Sequence, residues 1–523
     1  MDQTKLTLGI ELGSTRIKAV LTDENHLTEA DGSFEWENRF ENGYWTYDLS
    51  DAVRGVRECF ALLSARFEEK HNEPLTSPGS IGISAMMHGY LPFDNGNELL
   101  VPFRTWRNST TGRAADYLTE LFCFNIPQRW SVSHLYDDIL LRGKSVNRVA
   151  FITTLSGYIH YLLTGEKIIG IGDASGMFPI DSATLYYNRA MLDKFNSLIS
   201  EHGINFKIED ILPRPIPAGK CGGYLTKEGA LLLDPTGKLM SGIPLCPPEG
   251  DGATGLVSTN TLSPGQGNVS AGTSIFSMLI LEKNLLSAYR NIDSVVTPSG
   301  LPVAMVHAST CTTDIDSWVK LFSEAYESVG KKFSKTEQYS LFYKKAMEGD
   351  ADCGGLVSYN YCSSEEFVGI DMGLPLFLRP NGSSFSLANF ARCHLYSAMS
   401  VLRMGMDLLS EKEKIKPYNI LAHGGLFKIK GCAQKLLAGA LNTPVTVTET
   451  AGEGGAWGMA LLAEYMIKKL PGDDLSSYLT REVFNNSECV TEYPDKNDVA
   501  GFEKYFDKYK KYLSVEKTAA EIR

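Results

Sequence analysis

Residues 6–21 read Leu-Thr-Leu-Gly-Ile-Glu-Leu-Gly-Ser-Thr-Arg-Ile-Lys-Ala-Val-Leu, and this stretch decides the fold. Leu6–Ile10 is rich in strand formers, Glu11-Leu12-Gly13-Ser14-Thr15 carries turn chemistry, and Ile17–Leu21 resumes the strand. Two apolar runs joined so closely predict an antiparallel hairpin and exclude a strand–helix–strand unit at this point. A loop of small residues between two strands exposes successive amides and hydroxyls, which suits a phosphate group. A single Gly-Ser-Thr turn reads equally well as a plain tight hairpin.

The same device recurs far downstream. Gly267-Asn268-Val269-Ser270 leads through Ala271-Gly272-Thr273-Ser274 into Ile275–Ile280. One such turn at the start of each half predicts an internal duplication at domain scale. The chain has 523 residues, too many for one hydrophobic core. A Ser/Thr/Asn/Pro/Gly-rich stretch at Ser258–Gly265 marks the expected boundary and divides the chain into 1–258 and 259–523.

Around these hairpins the periodicity predicts helices over Asp48–Phe67, Arg148–Leu163, Asp314–Val329, Leu387–Leu409 and Gly431–Leu441. Buried strands are expected at Ile81–Ser84, Asn419–Ala422 and Val445–Val447. In the tail, Phe502, Tyr505, Phe506, Tyr509 and Tyr512 form one helical stripe, which reads as a core contact. The net charge of −12 argues against a nucleic-acid partner. No apolar run reaches the length of a membrane span, and the N-terminus runs straight into a strand without a leader, so a cytoplasmic protein is expected. The ten cysteines include no Cys-x-x-Cys pair and read as small core hydrophobes where they fall in apolar segments, as at Cys59, Cys123 and Cys432.

Four places carry residue types suited to chemistry. Gly250-Asp251-Gly252-Ala253-Thr254-Gly255 reads as a helix N-terminus with Asp251 at or near the cap. A carboxylate there, without bulky neighbours, can accept a proton from a substrate hydroxyl, and a cap-only role stands beside that reading. Met87-His88-Gly89-Tyr90 follows a buried strand, so His88 is either a structural histidine or a donor to a hydroxyl, with Met87 packing an apolar ligand face and Trp106-Arg107-Asn108 nearby. Glu11 stands at the mouth of the first turn, where a carboxylate holds Mg²⁺ directly or through water. His423-Gly424-Gly425 and Gly452-Glu453-Gly454-Gly455 are Gly-rich loops that together suit a flat group such as adenine better than a dinucleotide fingerprint.

Taken in order, these segments resemble the FGGY family of carbohydrate kinases, and within it most closely the xylulokinases. Gly9–Ala19 is similar to the first phosphate motif, Met87-His88-Gly89 to the sugar-site motif, and Trp106-Arg107-Asn108 to a Trp-x-Asp element. Leu163-Thr164-Gly165, Gly172-Asp173-Ala174-Ser175-Gly176, Gly250-Asp251-Gly252-Ala253, Gly272-Thr273-Ser274, Gly424-Gly425 and Gly454-Gly455-Ala456 complete the series. The resemblance implies an α/β protein of two actin-like, ribonuclease-H-like domains with a cleft between them. It implies Mg-ATP as phosphoryl donor and a ketopentose, D-xylulose, as acceptor. Asp251 is then the general base, and Met87, His88, Trp106, Asn108 and Asp251 bind the sugar. Gly13, Ser14, Thr15 and Lys18, with Gly272, Thr273 and Ser274, bind the ATP phosphates. Gly424, Gly425, Gly454 and Gly455 bind adenosine, and Glu11 the metal. A monomer or homodimer that binds only small molecules is implied.

The sequence departs from the family pattern at Glu11 and Asn108, where Asp is usual, and at Tyr396, where Glu is common. A lysine-bearing signature is not recognisable around Arg142–Asn147. A kinase for another ketose (D- or L-ribulose, L-xylulose), a non-catalytic sugar or nucleotide sensor, and an actin-like ATPase acting on a protein partner are the competing readings.

Overall fold

A computed structural model describes residues 2–143, 145–448, 454–485 and 488–522. The chain forms two compact units. The first comprises Met1–Leu262, Leu281–Val303 and Glu453–Asn486, and the second Ser263–Ile280, Ala304–Gly452 and Ser487–Arg523. The first crossing lies close to the expected 258/259 division. The two returning segments, however, mean that no single cut separates the units.

The first unit opens with the hairpin read from sequence. Strands β1 (Thr7–Leu12) and β2 (Arg16–Thr22) pair antiparallel, with Glu11 opposite Lys18 and Leu12 opposite Ile17. β3 (Thr28–Glu35) continues the meander on β2. Helix α1 (Leu49–His71) then crosses to β4 (Ser80–Ala85), which lies parallel to β1. Asp48 caps α1 by accepting the Ser50 N–H, and Asn72 ends it in the left-handed conformation. Its face of Val56, Phe60, Leu63 and Phe67 is buried in the core beside β1–β3. Each such side chain contributes about 1.5–3 kcal/mol relative to exposure.

The helix expected over Arg148–Leu163 is shorter in the structure. Phe151–Thr153 is instead a strand paired antiparallel with Leu91–Phe93, and α2 spans only Leu155–Thr164. The run Phe151-Ile152-Thr153-Thr154 is aromatic and β-branched, and Thr154 caps the helix by accepting the Gly157 N–H. Further on, β5 (Pro244–Leu245) pairs parallel with β4, so the sheet runs β5-β4-β1-β2-β3, with the short strand Gly223–Tyr224 antiparallel on the outer edge of β5. Two more residues, Glu249 and Gly250, also pair parallel with β4, opposite Ser84 and Ala85, and lead directly into α3 (Asp251–Ser258).

The second unit repeats this pattern. β6 (Gln266–Ala271) and β7 (Ile275–Ile280) form a hairpin, followed by β8 (Pro302–Ala308). After the long helix α4 (Leu387–Leu408), strand β9 (Asn419–His423) lies parallel to β6, as β4 lies parallel to β1. Helix α5 (Cys432–Leu441) leads to β10 (Val445–Thr448), parallel to β9. The chain then contributes α6 (Gly455–Lys468) to the first unit. It ends in the second unit with β11 (Cys489–Glu492) on β10 and α7 (Lys496–Ile522). On α7, Phe502, Tyr505, Phe506 and Tyr509 of the predicted stripe are buried, and Tyr512 is half-buried. All ten cysteines are free; Cys59 and Cys432 are buried, whereas Cys123 is exposed at a helix C-terminus.

Candidate functional site

In the first unit the candidate residues gather at the ends of β1 and β4. The Gly13-Ser14-Thr15 turn is held by its carbonyls. Trp36 Nε1 donates to Gly13 O (2.7 Å), the Tyr47 hydroxyl to Ser14 O (2.6 Å) and the Trp36 N–H to Thr15 O (3.2 Å). With its carbonyls engaged, the turn has the Ser14 and Thr15 amides to offer an anion. In the second unit, Cys311 and Thr312 N–H groups donate likewise to Thr273 O (2.7 Å) and Gly272 O (3.1 Å). Gly424, at φ 104°, lies against Ala271 in that unit, so the Gly424-Gly425 loop adjoins the Gly272–Ser274 turn. Gly452 and Glu453 lie outside the described residues; Gly454 and Gly455 belong to the first unit, where Gly454 takes φ 84° ahead of α6.

Glu11 reaches the N-terminus of α6. Its carboxylate lies at the Gly455 and Ala456 N–H groups, a favourable place for a negative charge. A Cβ on Gly455 would lie 2.1 Å from Glu11 Oε1, so only glycine admits this approach. Burial, and then the charge of Asp251, push the Glu11 carboxyl up to about 7, against Lys18 and the two amides. Among the described residues no group of three His, Cys, Asp or Glu side chains is arranged to hold a metal. Mg²⁺ does not need one, because it binds one or two carboxylates and fills its shell with water and phosphate oxygens. Glu11, half-buried and destabilised as an anion by its neighbour, fits such an ion.

Asp251 begins α3, with Gly250 as the cap. Its Oδ1 accepts the Met87 N–H (2.9 Å) and the Gly252 N–H (2.9 Å). Desolvation by the surrounding protein raises its pKa from the ordinary aspartate value, against the pull of these N–H donors. The side chain is open to solvent, which weakens that push relative to a sealed group. Asp251 is therefore an accessible carboxyl group, oriented by the same backbone that presents His88.

His88 is buried at φ 69° and Gly89 follows at φ 117°, so the chain makes a strained turn where the β4 strand ends. His88 Nδ1 lies 3.5 Å from Gly176 O, and its ring stacks toward Trp130 at 6.3 Å. Trp106 is 37 % exposed and its Nε1 donates to Ser14 Oγ (3.2 Å), which joins the expected sugar site to the phosphate turn. Asn108 is different. It is buried, its Oδ1 accepts the Trp45 N–H (2.8 Å), and its Nδ2 donates to Trp45 O (2.8 Å) and Thr105 O (3.1 Å). Both amide hydrogens are engaged, so Asn108 holds the Tyr44–Thr46 strand and has no donor left for a ligand. In the second unit Tyr396 is buried and its hydroxyl accepts Arg392 Nη2 (2.9 Å).

Two buried acids beside Asp251 were not singled out from the sequence as site residues. Asp173 Oδ2 accepts the Thr154 (2.7 Å) and Ser156 (2.5 Å) hydroxyls, while its Oδ1 has no hydrogen-bond partner. Glu249 accepts the Gly172 N–H (3.2 Å) and Asp173 N–H (2.8 Å). The available signal was Glu249 itself, a charged residue directly after the apolar, proline-rich Pro244–Pro248.

These acids give a pH prediction. Burial raises Asp173 to about 7 and Glu249 to about 8, and in the second unit Glu365 and Glu516 each to about 7. Above pH 6.5 the folded chain therefore still binds protons that the unfolded chain has lost, so stability falls as pH rises toward 8. Buried His134, His160 and His423, lowered to about 3, 4 and 4, act oppositely, but only below about pH 6.5, where unfolded imidazoles take up protons. The expected result is a thermal midpoint that drops between pH 6.5 and 8; a rising midpoint contradicts it.

Residues 267–467 match the family model described as the FGGY family of carbohydrate kinases, C-terminal domain. A xylulose kinase of Haemophilus influenzae is 21% identical over 537 aligned residues, which cover 97% of this chain and 99% of that protein. A crystal structure of xylulose kinase from Rhodospirillum rubrum superposes with a TM-score of 0.78 at 17% identity, covering 98% of this chain and 99% of the other. A gluconate kinase from Lactobacillus acidophilus superposes with a TM-score of 0.79, also at 17% identity, covering 99% of both. The shared fold is the actin-like, ribonuclease-H-like α/β architecture. Among the described residues no helix is long and apolar enough to cross a membrane.

Proposed function

We propose that this chain, whose residues 267–467 match the FGGY carbohydrate kinase model, transfers the γ-phosphoryl group of ATP to a ketopentose, D-xylulose to D-xylulose 5-phosphate, with Asp251 as general base. The observation that carries this reading is the placement of Asp251. One carboxylate stands at the N-terminus of α3, is held by the Met87 N–H, and adjoins His88 in the same unit.

In the proposed reaction Asp251 accepts the proton of the attacking hydroxyl as the O–P bond forms, so the oxygen does not have to carry a full negative charge. Met87 packs against the sugar, His88 hydrogen-bonds one of its hydroxyls, and Trp106 provides a flat surface. Asn108 acts at one remove by fixing Trp45. Ser14 and Thr15 amides and Lys18 bind phosphate oxygens in the first unit, and Gly272, Thr273 and Ser274 form the phosphate-binding turn of the second. Gly424, Gly425, Gly454 and Gly455 serve adenosine. Glu11 holds Mg²⁺, which when bound neutralises phosphate charge. Transfer is direct, without a phosphorylated enzyme.

The acceptor is tested with ADP release on D-xylulose, D-ribulose, L-ribulose, L-xylulose and D-gluconate. The proposal expects the highest kcat/KM on D-xylulose. A higher value on any other compound rejects the assignment of the sugar and leaves the kinase chemistry standing.

A further inference from the structure

The turn Ile171–Ala174 has glycine, Gly170, at its N-cap and no side-chain cap of its own. An aspartate at that position normally accepts the N–H groups two and three residues on. Here those two groups, on Gly172 and Asp173, donate to Glu249, 77 and 76 residues away in sequence. The substitution is close in space as well as in role. A Cβ on Gly170 would lie 2.3 Å from Glu249 Oε1 and 2.4 Å from its Cδ, so the Glu249 carboxylate occupies the place a capping side chain at 170 would take. Glu249 is 2 % exposed and the Gly170 N–H donates to Pro248 O (2.7 Å), which brings the two segments together along their backbones.

Both ends of this link lead to the site. Glu249 and Gly250 pair with Ser84 and Ala85, and Asp251 comes next. On the other side, the capped turn runs through Asp173, fixed by Thr154 and Ser156, to Gly176, whose carbonyl faces His88 Nδ1. We infer that Glu249 is a positioning residue: it caps the 171–174 turn from another strand, and so holds the Gly176–His88 side of the acceptor site in register with Asp251. This rests on the kinase reading above. Asp173 faces both Glu249 and Asp251 across this link, with Tyr187 near Asp173 and Cys246 near Glu249 as the further titratable groups.

The test compares two variants at one position. Glu249→Ala removes the cap, whereas Glu249→Gln keeps the length of the side chain and a carbonyl oxygen that accepts an N–H group. A side chain at 170 does not serve as a rescue, because its Cβ would lie 2.7 Å from Pro248 O, a backbone atom. KM for the sugar and for ATP are measured separately, well below the unfolding midpoint. The expected result for Glu249→Ala is a sugar KM raised about tenfold or more with ATP KM within about twofold. Glu249→Gln is expected to keep the sugar KM within about threefold of the parent. An unchanged sugar KM in Glu249→Ala, equal losses for both substrates, or a Glu249→Gln variant that keeps thermal stability but not the sugar KM each overturn the inference. If Glu249→Ala does not fold, a folded Glu249→Gln with sugar KM within about threefold supports it and one with a raised sugar KM overturns it. Absence of turnover by the parent protein on every sugar would reject the kinase reading alone; an unfolding midpoint lowered in Glu249→Ala and kept in Glu249→Gln would then decide the cap.

Discussion

Asp251→Asn is expected to lower kcat by about a hundredfold or more while the protein remains folded and binds sugar within a few-fold of the parent affinity. Asparagine has the size of aspartate and keeps a carbonyl oxygen. It can therefore still accept the Met87 and Gly252 N–H groups that hold residue 251 at the start of α3. What it loses is the ability to take a proton. The substitution thus separates the two readings open to a glycine-flanked acid. A residue that only caps would keep both its stability and its rate, because asparagine still accepts the two N–H groups. A base keeps the stability and loses the rate. Comparing kcat and unfolding midpoint for the one variant is sufficient, and a kcat within tenfold of the parent rejects Asp251 as base.

The second large effect lies at Gly9. Helix α6 packs directly on β1, and a Cβ on Gly9 would sit 2.0 Å from Ala456 O and 2.7 Å from the Ala460 N. Both are backbone atoms, so no side-chain rotation relieves the clash. Gly9→Ala is expected to cost about 3 kcal/mol of stability. The same displacement moves the Gly455 and Ala456 N–H groups off Glu11, two residues along the strand. The variant should therefore also lose at least tenfold in kcat where it is still folded. Denaturant unfolding and kcat at low temperature check both parts. A stable variant with parental activity would show that β1 and α6 do not need this contact.

Much of the architecture is legible in sequence, because the hairpin turns are local. Gly13-Ser14-Thr15 and Gly272-Thr273-Ser274 lie between short strand-forming runs, and both hairpins form where expected. The errors arise where distant partners decide. Phe151–Thr153 becomes a strand because Leu91–Phe93 offers it an edge, which no window over 148–163 contains. Leu281–Val303 and the α6 segment return to the first unit through contacts with residues hundreds of positions earlier. At the site, Asp251, Met87 and His88 converge as their order suggests. Asn108 reads as a ligand contact in sequence, yet its amide is taken by Trp45, 63 residues away. Glu249 escapes notice for the same reason, since Gly170 gives no sign that its cap is supplied elsewhere.

The central claim is phosphoryl transfer from ATP to a sugar hydroxyl, and its most direct measurement is phosphorus NMR of protein, Mg-ATP and D-xylulose followed over time. The account predicts one equivalent of sugar phosphate for each ADP formed, with negligible ADP when sugar is omitted. ADP and inorganic phosphate produced at the same rate with or without sugar would contradict it.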